Sequence, residues 1–130
     1  MKDTASQFNF ATSLAPAART TSGNGTAVDL TGYNSATFVV DAGAWTDGTH
    51  TLKAQESDDN STWTDVAAED LNGSFTAITS SGTATKWYKV GYKGTKKWVR
   101  AVTTVTGSPA TGAVYGVGVM RGHAFTSPVA

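Results

Sequence analysis

Two histidines, ten carboxylates and a wealth of serines and threonines are the side chains here that could do chemistry, and their spacing argues against it. His50 and His123 lie far apart, there is no cysteine, and neither histidine has a His-x-Glu or similar spacing beside it, so zinc or copper would need an accident of folding. Nucleophilic catalysis needs a hydroxyl or thiol beside an oriented base, and no serine stands in a Gly-x-Ser-x-Gly turn. Asp58-Asp59-Asn60-Ser61, with Asp65 beyond it, could offer oxygen ligands to calcium. It lacks the alternating spacing and closing Glu of a calcium loop and reads as a polar turn. Asp41, Asp47, Glu56, Asp65, Glu69 and Asp70 could converge as a glycosidase-like pair, but nothing singles out any two. Gly112 to Gly118 is glycine-rich inside a strand pattern, not between a strand and a helix as a phosphate cradle must be, so Gly116 and Gly118 are expected to permit close packing or a bend. Asn24-Gly25-Thr26, Asn60-Ser61-Thr62 and Asn72-Gly73-Ser74 match the glycosylation acceptor pattern by chance in a Thr/Ser-rich chain. The expectation is a protein that is not an enzyme, with no catalytic residue, no metal and no cofactor.

Binding chemistry is better represented. Lys93-Gly94-Thr95-Lys96 reads as a tight turn, which suggests pairing Tyr92 with Lys97, Val90 with Val99 and Tyr88 with Ala101. Trp87, Lys89, Arg100 and Trp98 would then share the other face, with Trp98 lying over Gly91. Like charges directly opposite are unfavourable, so Lys89 and Arg100 call for an acidic, carbonyl-rich or aromatic partner, and a subunit contact is expected there. A one-residue slip would instead put Trp87 or Trp98 inside the fold and leave the cations reaching for water. A rival reading stacks sugars on Trp45 and Trp63 near the Asp-rich turns.

The elements that must position these residues are strands. Thr, Gly, Ala and Ser dominate while Leu, Glu and Lys are sparse, a balance that favours extended chain and tight turns. Strands are expected near Ala27–Leu30, Thr37–Val40, Thr51–Glu56, Trp63–Val66, Trp87–Tyr92, Lys97–Val105 and Ala113–Met120. Phe38, Val40 and Ala42 share one face and should be core, as should the side of the next strand carrying Leu52 and Ala54. Asp47-Gly48 is a turn signal, and Ser57–Ser61 closes a hairpin onto Trp63–Val66. The stretch from Glu69 to Ile78 is weaker, and Thr79–Thr83 reads as a loop. The fold class is all-β, an antiparallel β-sandwich or jelly-roll-like domain over residues 26–121. Residues 1–25 form an extended N-terminal arm whose anchors are Phe8, Phe10 and Leu14, and residues 122–130 a C-terminal tail.

With 130 residues there is room for one core. Charged residues are 15% of the chain and cancel, removing the positive field that nucleic-acid or anionic-membrane binding requires, so neither partner is expected. Met1 to Gln7 lacks the apolar core of a signal peptide and nowhere do enough apolar residues run together for a membrane helix, so a soluble protein is expected. Without disulfides, stability must come from burial, hydrogen bonding or association.

The run from Ala36 to Val66, and later Tyr92-Lys93-Gly94-Thr95-Lys96-Lys97-Trp98-Val99-Arg100-Ala101, resembles small proteins encoded among the head genes of tailed bacteriophages. The resemblance covers about residues 30 to 121. It implies a capsid decoration, or cement, protein: a small β-sandwich, often trimeric, made in the host cytoplasm and carried on the capsid exterior, where it clamps the expanded shell. The implied partners are the major capsid protein and further copies of the chain. Trp87, Lys89, Trp98, Arg100, Phe8 and Phe10 are then the expected interface, and a tail or fibre glycan-binding module is the alternative.

Overall fold

Alternation of apolar and polar residues sorts most of the chain into strands with one buried face. The computed structural model describes residues 3–124, which form strands β1 (Phe8–Arg19), β2 (Gly23–Asn24), β3 (Val28–Asp29), β4 (Tyr33–Trp45), β5 (Thr49–Ser57), β6 (Thr64–Asp65), β7 (Leu71–Asn72), β8 (Lys86–Tyr92), β9 (Trp98–Thr106) and β10 (Ala113–Ala124). Single 3-10 turns lie at Ala5–Gln7 and Ala68–Asp70. No helix among the described residues is long and apolar enough to cross a membrane. All strand pairs are antiparallel and make two sheets. The first runs β1-β10-β4-β8-β7 and the second β2-β9-β5-β6, with β3 also on β9 beside β2.

The sheets face each other as a sandwich. Phe38, Val40, Val90, Tyr115, Val117 and Val119 enter the core from the first sheet, and Leu52, Ala54, Val99 and Ala101 from the second. Phe38, Val40, Leu52 and Ala54 are the alternating positions expected from the sequence, because a strand with one wet side must hide every second residue. The stretch from Gly73 to Thr85 plugs one flank. Phe75 meets Phe38 edge-on at 5.7 Å, and Ile78, fully buried, bridges to His50 on β5.

Two sequence expectations fail here. Phe8–Arg19, placed in an extended arm, is instead the long edge strand of the first sheet, and Gly122 to Ala124, placed in the tail, complete β10. Residues 1, 2 and 125–130 lie outside the described residues. The second failure is the hairpin of Trp87–Tyr92 on Lys97–Val105. β8 pairs with β4 and β7, whereas β9 pairs with β5, β2 and β3. The connection between them crosses from sheet to sheet. Val90 and Val99 therefore come from opposite sides of the core instead of lying side by side, although both point inward as the alternation requires.

Beyond its pairing with β10, β1 also closes one side of the sandwich. A bulge between Thr12 and Leu14 turns Ser13 inward, where its Oγ accepts the Ala101 N–H at 2.8 Å and donates to the Thr26 carbonyl at 2.9 Å. Thr26 N–H returns a bond to the Ser13 carbonyl. The chain between β2 and β3 can approach this closely only as glycine: a Cβ on Gly25 would stand 2.5 Å from Ser13 Oγ and 2.6 Å from the Ala101 carbonyl oxygen. Pro16 and two register breaks blunt the free edge of β1.

Candidate functional site

The outer face of the first sheet holds the residues that folding leaves unexplained. Along β10, Tyr115, Val117 and Val119 point into the core, so Gly116, Gly118, Met120 and Gly122 point out. Antiparallel register then fixes their neighbours. Thr12, Gly118, Val39 and Lys89 form one row across four strands, and Gly116, Asp41 and Trp87 form the next. Gly118 leaves bare backbone in the floor, while Gly116 and Gly122 make room for Pro16 and Phe8 to lie over them. Phe10 and Pro16 wall that floor on the β1 side, and Val39, Asp41 and Trp87 on the other, enclosing an open groove of about 220 Å³. Pro16 lies tightly over Gly116, where a Cβ would come within 2.9 Å of its ring.

Phe10 and Trp87 are 64% and 70% exposed, the two most exposed large hydrophobic side chains described. Two aromatic rings kept in water on either side of an apolar floor are the usual mark of a surface meant to be covered. Asp41 and Lys89 flank Trp87 and are exposed, and neither has a hydrogen-bond or ion-pair partner among the described residues.

Of the expected interface residues, Phe8, Phe10, Trp87 and Lys89 lie on this face, with Phe8 packed over Gly122. Trp98 and Arg100 do not join them. They stand on the outer face of the second sheet, across the full thickness of the sandwich. The chemistry foreseen for Arg100, a carbonyl and an aromatic ring, is supplied within the chain. Its Nε and Nη2 donate to Gln55 Oε1 at 2.9 and 2.7 Å, and its guanidinium sits 4.3 Å from the Trp63 ring centre. Lys97 lies over half-buried Trp98 at 5.4 Å, and Asp65 gathers Gln55 and Lys53. Lys89 opposes Val39 and not Arg100, so the clash of like charges does not arise. Sequence reasoning missed Thr12, Pro16, Val39, Asp41 and the part of Gly116 and Gly118 in a groove. The Gly-Val-Gly-Val alternation at 116–119 was the available signal, since a strand with valines inward and glycines outward makes a trough.

The other polar clusters are structural. Buried His50 shares Tyr115 Oη at 3.1 Å with Nδ1 and meets the Asp47 carbonyl with Nε2, while Tyr115 Oη lies 2.5 Å from Thr103 Oγ1. Burial pushes the Tyr115 phenol above its ordinary pKa. Asp47 Oδ atoms accept N–H bonds from Gly112, Ala110 and Thr111, which hold its carboxyl below the usual range and tie the β4–β5 turn to the loop before β10. Asp59 is a turn carboxylate, capping the N–H groups of Thr62 and Ser61 and bonded to Ser57, with the same downward effect. No group of metal-ligating side chains occurs among the described residues. A second, more polar cleft of about 490 Å³ opens at the end of the sandwich between the β3–β4 turn and the β8–β9 loop. Its Lys96 is paired with Asp58 at 2.7 Å, and its Tyr92 donates to Glu56 and accepts from Lys96 N–H. Burial, helped by the Glu56 carboxylate, raises the Tyr92 phenol strongly.

No histidine lines the groove; the exposed His123 stands at the end of the same sheet, its Nδ1 2.9 Å from Ser35 Oγ. No protein-family model matches the chain, and neither a curated protein nor a solved structure matches it.

Proposed function

We propose that this chain is a virion structural protein, a homo-oligomeric capsid decoration protein that works by contact and not by catalysis, and that it engages its partners through the outer face of the first sheet. The observation that carries the reading is the pair of exposed anchors, Phe10 and Trp87, on either side of a glycine-floored apolar groove. Aromatic residues set in such a patch supply most of the energy of protein–protein contacts. The phage context rests on the resemblance of residues 36–66 and 92–101 to head-encoded proteins. Balanced charge suits a subunit packed densely against its own kind.

The rival, a glycan-binding module built on Trp45 and Trp63, has less to stand on. One face of Trp63 is taken up by Arg100, and Trp45 packs against the core with its Nε1 donating to the Gly48 carbonyl.

Mixing the purified chain with expanded phage shells that lack it tests the reading. Co-sedimentation at micromolar concentration that is lost with Trp87→Ser is expected, and failure of the unmodified chain to co-sediment would refute it.

A further inference from the structure

We infer that Asn72-Gly73 is a site of spontaneous chemical modification: the Gly73 amide nitrogen closes on the Asn72 side chain, ammonia leaves, and water opens the resulting ring to aspartate or isoaspartate. The chain holds two Asn-Gly pairs, Asn24-Gly25 and Asn72-Gly73, and the fold offers the second to this reaction while shutting off the first.

Glycine after asparagine favours the reaction because no side chain shields the attacking nitrogen or restricts its backbone. Water is the only other reactant. The bond from Gly73 N to Asn72 Cγ forms and the bond from Cγ to Nδ2 breaks, the departing ammonia carrying the proton that Gly73 N gives up through solvent. Water then opens the succinimide ring. Breaking the bond from nitrogen to Cγ gives aspartate, and breaking the bond from nitrogen to the main-chain carbonyl carbon gives isoaspartate.

Both asparagines are exposed, so the following nitrogens decide between them. Gly25 N–H donates to the Ala101 carbonyl at 2.7 Å, and Gly25 is pressed between that oxygen and Ser13 with no room even for a Cβ. Its nitrogen is held. β7, by contrast, is the outermost strand of its sheet, pairing Asn72 with Gly91, and Lys93 N–H donates to the Asp70 carbonyl. With that bond in place, antiparallel alternation makes Asn72 and Gly91 a hydrogen-bonded pair, so the Asn72 carbonyl points at β8. In a trans peptide the next N–H points the opposite way, and Gly73 N–H leaves the sheet edge into water. Gly73 is exposed at a φ of +100°, and β7 is only two residues long, so few bonds must open for the turn to reach the reactive geometry.

Other candidates are tied down. Ser61 N–H, behind Asn60, donates to Asp59 Oδ1 at 2.9 Å, and the Asp47 carboxylate before Gly48 is occupied by the N–H groups of Ala110, Thr111 and Gly112. Asn72 packs over Gly91, and Lys89 lies diagonally across, about 7–8 Å away in ordinary sheet geometry. An aspartate there gains a cation for a neighbour. Isoaspartate lengthens the main chain by one carbon and spoils the pairing of β7.

Ageing the full chain in mildly alkaline buffer made with heavy-oxygen water, followed by peptide mapping and mass spectrometry, provides the test. Conversion at Asn72 should run at least about tenfold faster than at Asn24, the margin between a fraying edge and a segment tied to the core. Aspartate and isoaspartate should both form, each with one oxygen from solvent, and in concentrated urea the two sites should react at similar rates. Hydrogen exchange at the Lys93 amide should be faster in the isoaspartyl fraction, because its acceptor, Asp70, adjoins β7. An Asn72 that survives in the folded chain for as long as the unfolded chain takes to react fully would overturn the inference. So would an Asn24 that reacts as fast as Asn72 in the folded chain, a tenfold margin that persists in urea, or aspartate without isoaspartate.

Discussion

Replacing Ser13 with alanine should destabilise the fold far more than replacing Ser22, although each hydroxyl accepts one N–H from the same strand. Ser13 Oγ takes the Ala101 N–H at 2.8 Å and Ser22 Oγ the Val105 N–H at 2.8 Å. The difference is water. Ala101 is fully buried and Ser13 nearly so, whereas the Ser22 bond is exposed. Deleting Ser13 Oγ strands a donor in the core, and it removes the bond given to Thr26 O as well. A stranded buried donor costs about 1–3 kcal/mol, so about 2 kcal/mol is expected. At an unfolding entropy of about 2.1 cal/mol/K per residue across 130 residues, the melting temperature should fall by about 7 °C. Solvent replaces the lost bond in Ser22→Ala, which should stay within about 0.5 kcal/mol of wild type. Calorimetry gives the two shifts, and hydrogen exchange at the Ala101 amide gives the local one. Equal shifts for both variants, or an Ala101 amide as protected in Ser13→Ala as in wild type, would show that Ser13 does not tie the two sheets together. Gly25→Ala should also destabilise, and Ser13→Ala should not rescue it, because the Ala101 and Ser13 carbonyl oxygens still occupy the space of the new Cβ.

Tyr115→Phe should cost about 1–3 kcal/mol by leaving Thr103 Oγ1 and His50 Nδ1 without their shared partner, read as a lower urea midpoint at constant slope. Asp47 has a folded pKa below its unfolded value, so its contribution is fully present above about pH 4, the unfolded carboxylate range, and is lost as pH falls through the lower folded value. The urea midpoint should therefore drop on acidification below that range, and less steeply in Asp47→Asn than in wild type. Arg100→Ala should cost about 1 kcal/mol or less while changing Trp63 fluorescence, since the guanidinium leaves the ring.

Which residues face inward was legible from the sequence, and which strands lie beside each other was not. Phe38, Val40 and Ala42, or Leu52 and Ala54, announce a buried side because period-two alternation is a direct consequence of the pleat. The same signal is blind to pairing. Val90 and Val99 show it equally whether the Lys93–Lys97 connection returns along one sheet or crosses to the other. What fixes the crossing is tertiary: Lys93 N–H donates to the Asp70 carbonyl, and Lys96 N–H reaches back to Tyr92 Oη. β1 hid for a different reason. Its outward side carries Phe8 and Phe10, Leu14 is its one large buried apolar side chain, and its bulges break the period just where Ser13 turns in. The tryptophans, cations and phenylalanines singled out from the sequence divide by sheet, so four of the six expected interface residues, Phe8, Phe10, Trp87 and Lys89, fall on one face. Trp98 and Arg100 follow β9 to the other.

The two sides of β10 do different work, and two glycines on its outer side separate that work experimentally. A Cβ on Gly118 would meet only the Ala11 carbonyl oxygen, at an ordinary 3.5 Å, whereas a Cβ on Gly116 would strike Pro16 at 2.9 Å. Valine also has the higher strand propensity, by up to about 1 kcal/mol. Gly118→Val should therefore melt at or above the wild-type temperature, and Gly116→Val below it. Contact runs the other way for Gly118, because an isopropyl group in the middle of the floor fills the space an incoming side chain needs. Self-association and shell binding should both weaken in a variant that is at least as stable as its parent. Loss of stability in Gly118→Val, or undiminished contact, would mean that the trough along β10 is a consequence of packing and not a surface kept open for a partner.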